Sequence, residues 1–326
     1  LRLSQNMNHQ ELLLKTIRTY VSPSESLNEV IAFVLNISYD AAHRRVSGKS
    51  KFSIEETISL CNHYGISMDA IFSAKNKVLV EKTTEVKSFD DMVTYFEQSA
   101  NYLKQYVTLD NTTLFYSAKD IPLFYTIGGS LLSKFKMYVW LNLLIGTENQ
   151  EAFEKFQLTQ PLQEYVEVLK QVYEKAAVSE IWNDTTINST LQQIFYFYES
   201  GLLTRNNAEL LYAEMNTLLQ NVEDKCSLNQ PNYHLYYNEL LILNNNVLIA
   251  NDHKKTLFIP YTLLGYFITE DLNTCVNASD YYQHQIKNSK SLNLSGTRDR
   301  KLFFNKAHQK IDYYLQKLNF EIDINY

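Results

Sequence analysis

The chain has 326 residues, of which 45% are hydrophobic and 20% charged, with a formal net charge of −6. This suits a globular protein of two or three domains with a substantial core. It excludes a membrane span, since no apolar run approaches the roughly 18–20 residues a bilayer requires. No basic-then-apolar start resembles a secretion signal. Cys61, Cys226 and Cys275 are odd in number and widely spaced, which argues against a disulfide framework or zinc-ligand spacing and for a reducing cytoplasm. His63, near Cys61, therefore reads as structural.

The six residues before Met7, LRLSQN, carry none of the functional reading. Residues 8–75 read as a five-helix unit. The first helix is expected from His9 to Tyr20 after Asn8 as cap, and Pro23 separates it from the second. Ser26 and Glu29 have the S-x-x-E spacing of a capping box, and Leu27, Val30, Ile31 and Val34 then share one face. Asn36 and Ile37 make a short turn.

The segment Asn36 to Lys51, NISYDAAHRRVSGKSK, carries the most information. Ser38 can cap a helix through a free backbone N–H of the first turn. Ala41 and Ala42 keep that helix slim, Arg44 and Arg45 sit towards its end, and Gly48 offers a left-handed stop. Lys49 and Lys51 extend the positive charge. Between Ser38 and Lys51 four basic residues face Asp40 alone, whereas residues 8–75 as a whole are neutral. A slim helix with a cationic end can enter a major groove and neutralise phosphate. Tyr39, Asp40, His43 and Arg44 project from its first two turns, with Arg44 suited to a bidentate pair on guanine. Lys49 and Lys51 suit phosphate, which positions without reading sequence. The bland alternative is a solvated helix end favoured by the helix dipole.

A second capping box, Ser53 and Glu56, opens a fourth helix expected to bury Ile54, Ile58 and Cys61. Gly65 closes it, and Ser67 restarts a fifth through Ile71 and Phe72. From Leu27 to Phe72 this order resembles the Cro- and phage-repressor-like helix-turn-helix family. The I-S pair before the third helix, the G-K after it, the S-I-E-E start and the closing G-I-S-M-D-A-I-F carry the resemblance. It implies a DNA-binding head with candidate contacts at Ser38, Tyr39, Asp40, His43, Arg44, Arg45, Lys49 and Lys51. One departure stands out: Arg45 occupies a position, three before the glycine, where the family has an aliphatic residue.

Residues 76–87 read as a linker with alternating charge, where a short strand is also open. Beyond Ser88 the aromatic density about doubles. Residues 88–230 show helical stripes: Leu162, Tyr165, Val166, Leu169 and Tyr173; Leu191, Ile194, Phe195 and Tyr198; Leu210, Leu211, Met215, Leu218 and Leu219. They suggest a tetratricopeptide-like array of stacked helix pairs, without a clean repeat signature. In residues 231–326, HLYYNELLILNN, NVLIAND and KKTLFIPYT read as a small antiparallel meander packed on that array. A final helix runs from Arg298 to Leu318, with Leu302, Phe303, Ala307, Ile311, Tyr314 and Leu318 on a broad face. The phrases YSAKDIPLF and EIWNDTTINSTLQQI resemble those of large regulators of Bacteroidetes-type bacteria, which likewise join a repressor-like head to a long helical region.

The expected fold is thus mainly α. No phosphate-binding glycine loop surrounds Gly128 and Gly129, no nucleophile-elbow motif is present, and Asp252 and His253 fall in a turn. Glu11, Glu55, Glu56 and Glu180 have helix-cap or surface readings. No catalytic residue, metal or cofactor is therefore expected. The sequence points to a homodimeric transcriptional regulator on double-stranded DNA, whose C-terminal region dimerises and senses a signal. By analogy with peptide-pheromone receptors of Gram-positive bacteria, a peptide or small-molecule effector would occupy a concave helical surface. A non-enzymatic scaffold binding protein partners is the alternative.

Overall fold

The computed structural model describes residues 8–22, 24–68, 71, 77–107, 111–146, 151–228, 230–294 and 297–320. The chain divides into two compact units, residues 1–79 and 80–326. In the first unit four helices are described: α1 (His9–Arg18), α2 (Leu27–Leu35), α3 (Tyr39–Val46) and α4 (Ile54–Tyr64). The fifth helix expected from Ser67 to Phe72 lies largely outside the described residues, as does the Pro23 break.

Local chemistry accounts for the helix ends. Asn8 with Glu11, and Ser53 with Glu56, each form reciprocal capping boxes. Ser26 makes no side-chain cap to α2, contrary to the expected box with Glu29. Asn36 stops α2 in the left-handed conformation at φ 51°, and the Ile37 amide donates back to the Ala32 carbonyl. The core gathers Leu13, Leu14, Ile17, Ile31, Ala42, Leu60 and Cys61. Ile54 and Ile58, expected inside, are 71% and 43% exposed. The buried side of α4 is formed by the expected Cys61 together with Leu60.

The second unit overturns the mainly α expectation. Its elements are β1 (Glu81–Lys82), α5 (Phe89–Leu103), β2 (Thr113–Ser117), α6 (Leu131–Ile145), α7 (Gln160–Lys175), β3 (Ala177–Trp182), α8 (Asn188–Glu199) and α9 (Arg205–Ser227). They continue with β4 (Tyr233–Tyr237), β5 (Val247–Ala250), β6 (Lys255–Pro260), β7 (Tyr266–Thr269), α10 (Leu272–Lys287), β8 (Lys290–Ser291) and α11 (Thr297–Phe320). The strands form one 8-stranded mixed sheet in the order β1-β7-β6-β5-β2-β3-β4-β8. β2, β3 and β4 are parallel, joined by helical crossovers, and the remaining pairs are antiparallel.

No boundary falls at residue 230, because β2 pairs with β5 and β3 with β4 across it. The tetratricopeptide-like array is likewise replaced by helices laid on a sheet. Of the three strands expected in the meander only β5 and β6 pair antiparallel; β4 runs parallel to β3, and the unexpected β7 completes the meander. Strand alternation explains the two faces. Leu114, Tyr116, Val178, Trp182, Tyr233, Leu235, Val247 and Ile249 join the large core beneath α5–α9 and α11. Phe115, Ile181, Leu248 and Leu257 face α10, where Phe115 and Tyr282 stack at 4.0 Å between ring centres. Helix α6 is apolar almost all round, which suits burial between layers. No helix among the described residues is long and apolar enough to cross a membrane.

The large core contains a carboxylate. Glu180, in the middle of β3, is fully buried. Tyr173 Oη lies 2.5 Å from it, Trp182 Nε1 2.8 Å, Tyr233 Oη 3.2 Å and Tyr125 Oη 3.4 Å. The Lys225 ammonium from α9 lies 5.2–5.6 Å from the centres of those three tyrosine rings. Burial holds the Glu180 pKa above its ordinary value, opposed by the bonds from Tyr173 and Trp182. Replacing it by alanine strands several donors in the core, so Glu180→Ala should lower unfolding free energy by about 3 kcal/mol in urea titrations. A loss below about 1 kcal/mol would mean that water or neighbouring groups readily satisfy those donors.

Candidate nucleic-acid interface

The third helix is built as its sequence suggests. Ser38 Oγ accepts from the Ala41 amide at 3.3 Å, and Gly48 adopts φ 74°, which strains any residue with a Cβ. The Ser50 amide donates to the Arg44 carbonyl at 3.0 Å, so the following loop folds back on the last turn of α3.

A residue passed over in the sequence holds that loop. Gln10 of α1 is buried, and its side-chain amide donates to the carbonyls of Arg45 at 2.7 Å and Ser50 at 2.9 Å. Its Oε1 accepts from the Phe52 amide at 3.2 Å. A signal for it was present: Gln10 shares the i, i+3, i+4, i+7 face of Leu13, Leu14 and Ile17, where a polar residue needs a partner.

The candidate contacts separate into groups. Arg44, Lys49 and Lys51 are exposed, and none makes an ion pair among the described residues. Asp40 is exposed in the first turn of α3, and Ser38 is exposed but used as the cap. Tyr39 and His43 are exposed and tied to α2: Asn28 Nδ2 donates to Tyr39 Oη at 3.2 Å and lies 3.5 Å from His43 Nδ1.

Arg45 does not join the exposed set. Its guanidinium forms a two-pronged pair with Glu56, Nε to Oε2 at 2.9 Å and Nη2 to Oε1 at 2.6 Å. A third bond runs to the Ala41 carbonyl at 3.1 Å. This explains how an arginine stands where the resembled family has an aliphatic side chain: it is half-buried and its charge is answered from α4. Glu56 thereby serves both the α4 capping box and α3. Among the described residues no cluster of three His, Cys, Asp or Glu side chains is placed to hold a metal ion.

Comparison with known proteins leaves the assignment to this geometry: no family model, curated protein or solved structure matches the chain.

Two outcomes are expected. Gln10→Leu fits the apolar face but strands two carbonyls and an amide, so it should cost about 1–3 kcal/mol of stability and raise hydrogen exchange at Phe52. The Arg45 bond also holds the Glu56 pKa below its ordinary 4.5. A depressed carboxylate stabilises above its unfolded pKa, and that contribution is lost as pH falls through the folded one. The head should therefore lose about 1 kcal/mol as pH drops below 4.5, and Glu56→Gln should remove that part of the dependence. Identical acid unfolding profiles for the two proteins would count against the pair.

Proposed function

We propose that the N-terminal unit binds double-stranded DNA through α3 and its following loop, as one half of a homodimer. The chain would then act as a cytoplasmic transcriptional regulator, with the larger unit providing dimerisation and sensing a peptide or small-molecule effector. The observation that carries this reading is the combination of a short capped helix and three exposed cations, Arg44, Lys49 and Lys51, that make no ion pair among the described residues. The latter two sit on a loop anchored by Gln10. Pre-anchored cations reach phosphate without first being ordered, which spares part of the entropic cost of binding. Arg44 supplies base readout and the lysines supply register. In a dimer the two α3 helices would enter successive major grooves about one turn apart. An effector would act by binding two arrangements of the heads unequally.

A scaffold role has its own support. Phe33 on α2 is 81% exposed and Ile54 on α4 is 71% exposed, and apolar groups of this size suit a protein contact. Salt separates the readings. On random duplex DNA the head should lose affinity steeply as salt rises, and replacing Lys49 and Lys51 by alanine should reduce the slope by about 2. On a target recovered by genome-wide mapping, Arg44→Ala should cost about 1–3 kcal/mol. Absence of binding even at low salt would favour the scaffold.

A further inference from the structure

An apolar cavity of about 180 Å³ lies between α5 and the sheet, on the face of β2, β5, β6 and β7. The rings of Tyr95, Tyr116, Phe124, Phe258 and Tyr266 line it, with Leu169 closing one side. A void of about 150 Å³ with apolar walls stays dry and accepts benzene, so this one has room for a single substituted ring.

Apart from Glu81 and Lys82 at its wall, its polar side chains are uncharged: Thr83, Gln98, Ser99 and the tyrosine hydroxyls. The Tyr116 hydroxyl faces that of Tyr266, and Ser99 sits beside the Tyr95 hydroxyl. Burial holds the Tyr95 and Tyr116 phenols well above their ordinary range, so both keep their protons. The Tyr102 hydroxyl, by contrast, is already committed to Glu270. The charges at the wall, Glu81 and Lys82, belong to exposed β1, and Lys82 is paired with Glu85. A charged guest would lose its hydration with nothing inside to replace it. Flat rings with one polar group match walls of this kind.

One wall is unusual. β1 has only two residues and pairs at the sheet edge with β7, placing Glu81 opposite Ile268. It is held further by the Thr83 amide on the Tyr266 carbonyl at 3.0 Å and the Tyr266 amide on Thr83 Oγ1 at 2.9 Å. Thr83 and Tyr266 both line the cavity. A strand this short has little stability of its own, so contacts from a guest weigh heavily in keeping it paired.

We propose that this cavity is a binding site for a small uncharged aromatic molecule bearing one hydroxyl or N–H, of the size of p-cresol or indole, and that occupancy fastens β1 to the sheet. Occupancy does not depend on what the N-terminal unit binds, so the test requires no DNA.

Calorimetric titration of the full chain with p-cresol and with indole should show saturable binding at one site per chain, and benzoate should show none. Ser99→Leu, which fills the cavity from α5, should weaken p-cresol at least tenfold. Should that variant fail to fold, Tyr266→Phe, which removes one hydroxyl, should weaken p-cresol severalfold while leaving toluene unchanged. Hydrogen exchange at the Thr83 and Tyr266 amides should slow with p-cresol bound. The site is overturned if none of the uncharged probes saturates, if benzoate binds as well as p-cresol, or if a folded variant leaves p-cresol affinity untouched. Unchanged exchange at both amides would overturn the fastening of β1.

Discussion

The larger unit is organised around a carboxylate placed where a sheet ordinarily puts a hydrocarbon. Glu180 sits mid-strand in β3, with β2 on one side and β4 on the other. Its inward side chain could not remain in the core unless other elements brought donors to it. Tyr173 comes from α7, Tyr233 from β4, Trp182 from β3 itself and Tyr125 from the helical turn at Leu123–Tyr125. These groups can meet only when the crossovers on both sides of β3 are in place, so satisfying one carboxylate constrains the parallel half of the sheet. Lys136 follows the same rule on α6, where its buried ammonium reaches Asp120, Thr190 and Gln193. Such groups add less net stability than apolar side chains would, but they penalise alternative packings.

That carboxylate also explains why the sheet was illegible in sequence. AVSEIW has the apolar alternation of a half-buried strand broken at its centre by glutamate, and a single residue separates it from the end of α7. Short parallel strands lack hairpin turns to announce them, and four to six residues cannot show a period clearly. β2, TLFYS, suffers the same ambiguity. The amphipathic helices between them were plain, with Leu162, Val166 and Leu169 buried along α7 as the spacing requires. Reading strong helices and missing the short strands between them turns an α/β layer into an apparent helical array. β5 and β6 were visible because Asn-rich and charged turns flank them, whereas β7 follows the uncharged turn YTLLG and was not read.

The head was more legible because its signals are local. Caps at Asn8, Ser38 and Ser53 and stops at Asn36, Gly48 and Gly65 act within a few residues, so sequence order reports them directly. What escaped was long-range. Gln10 reaches residues 35 and 40 positions away, and Arg45 finds its carboxylate on another helix. Periodicity shows that a polar residue lies on a buried face without naming its partner.

Charge counting from sequence misleads in the same way. The surplus between Ser38 and Lys51 includes Arg45, but a guanidinium held in two-pronged contact with Glu56 has little left to offer a phosphate. The groups available to the proposed DNA contact are Arg44 and the two loop lysines. Arg45 and Gln10 act instead on the backbone: one secures α3 against α4, and the other secures the loop against α1. Fixing the backbone that carries exposed cations is a different task from supplying charge. Substituting these two residues should disturb the position of the contact, whereas substituting Arg44 removes part of the contact itself.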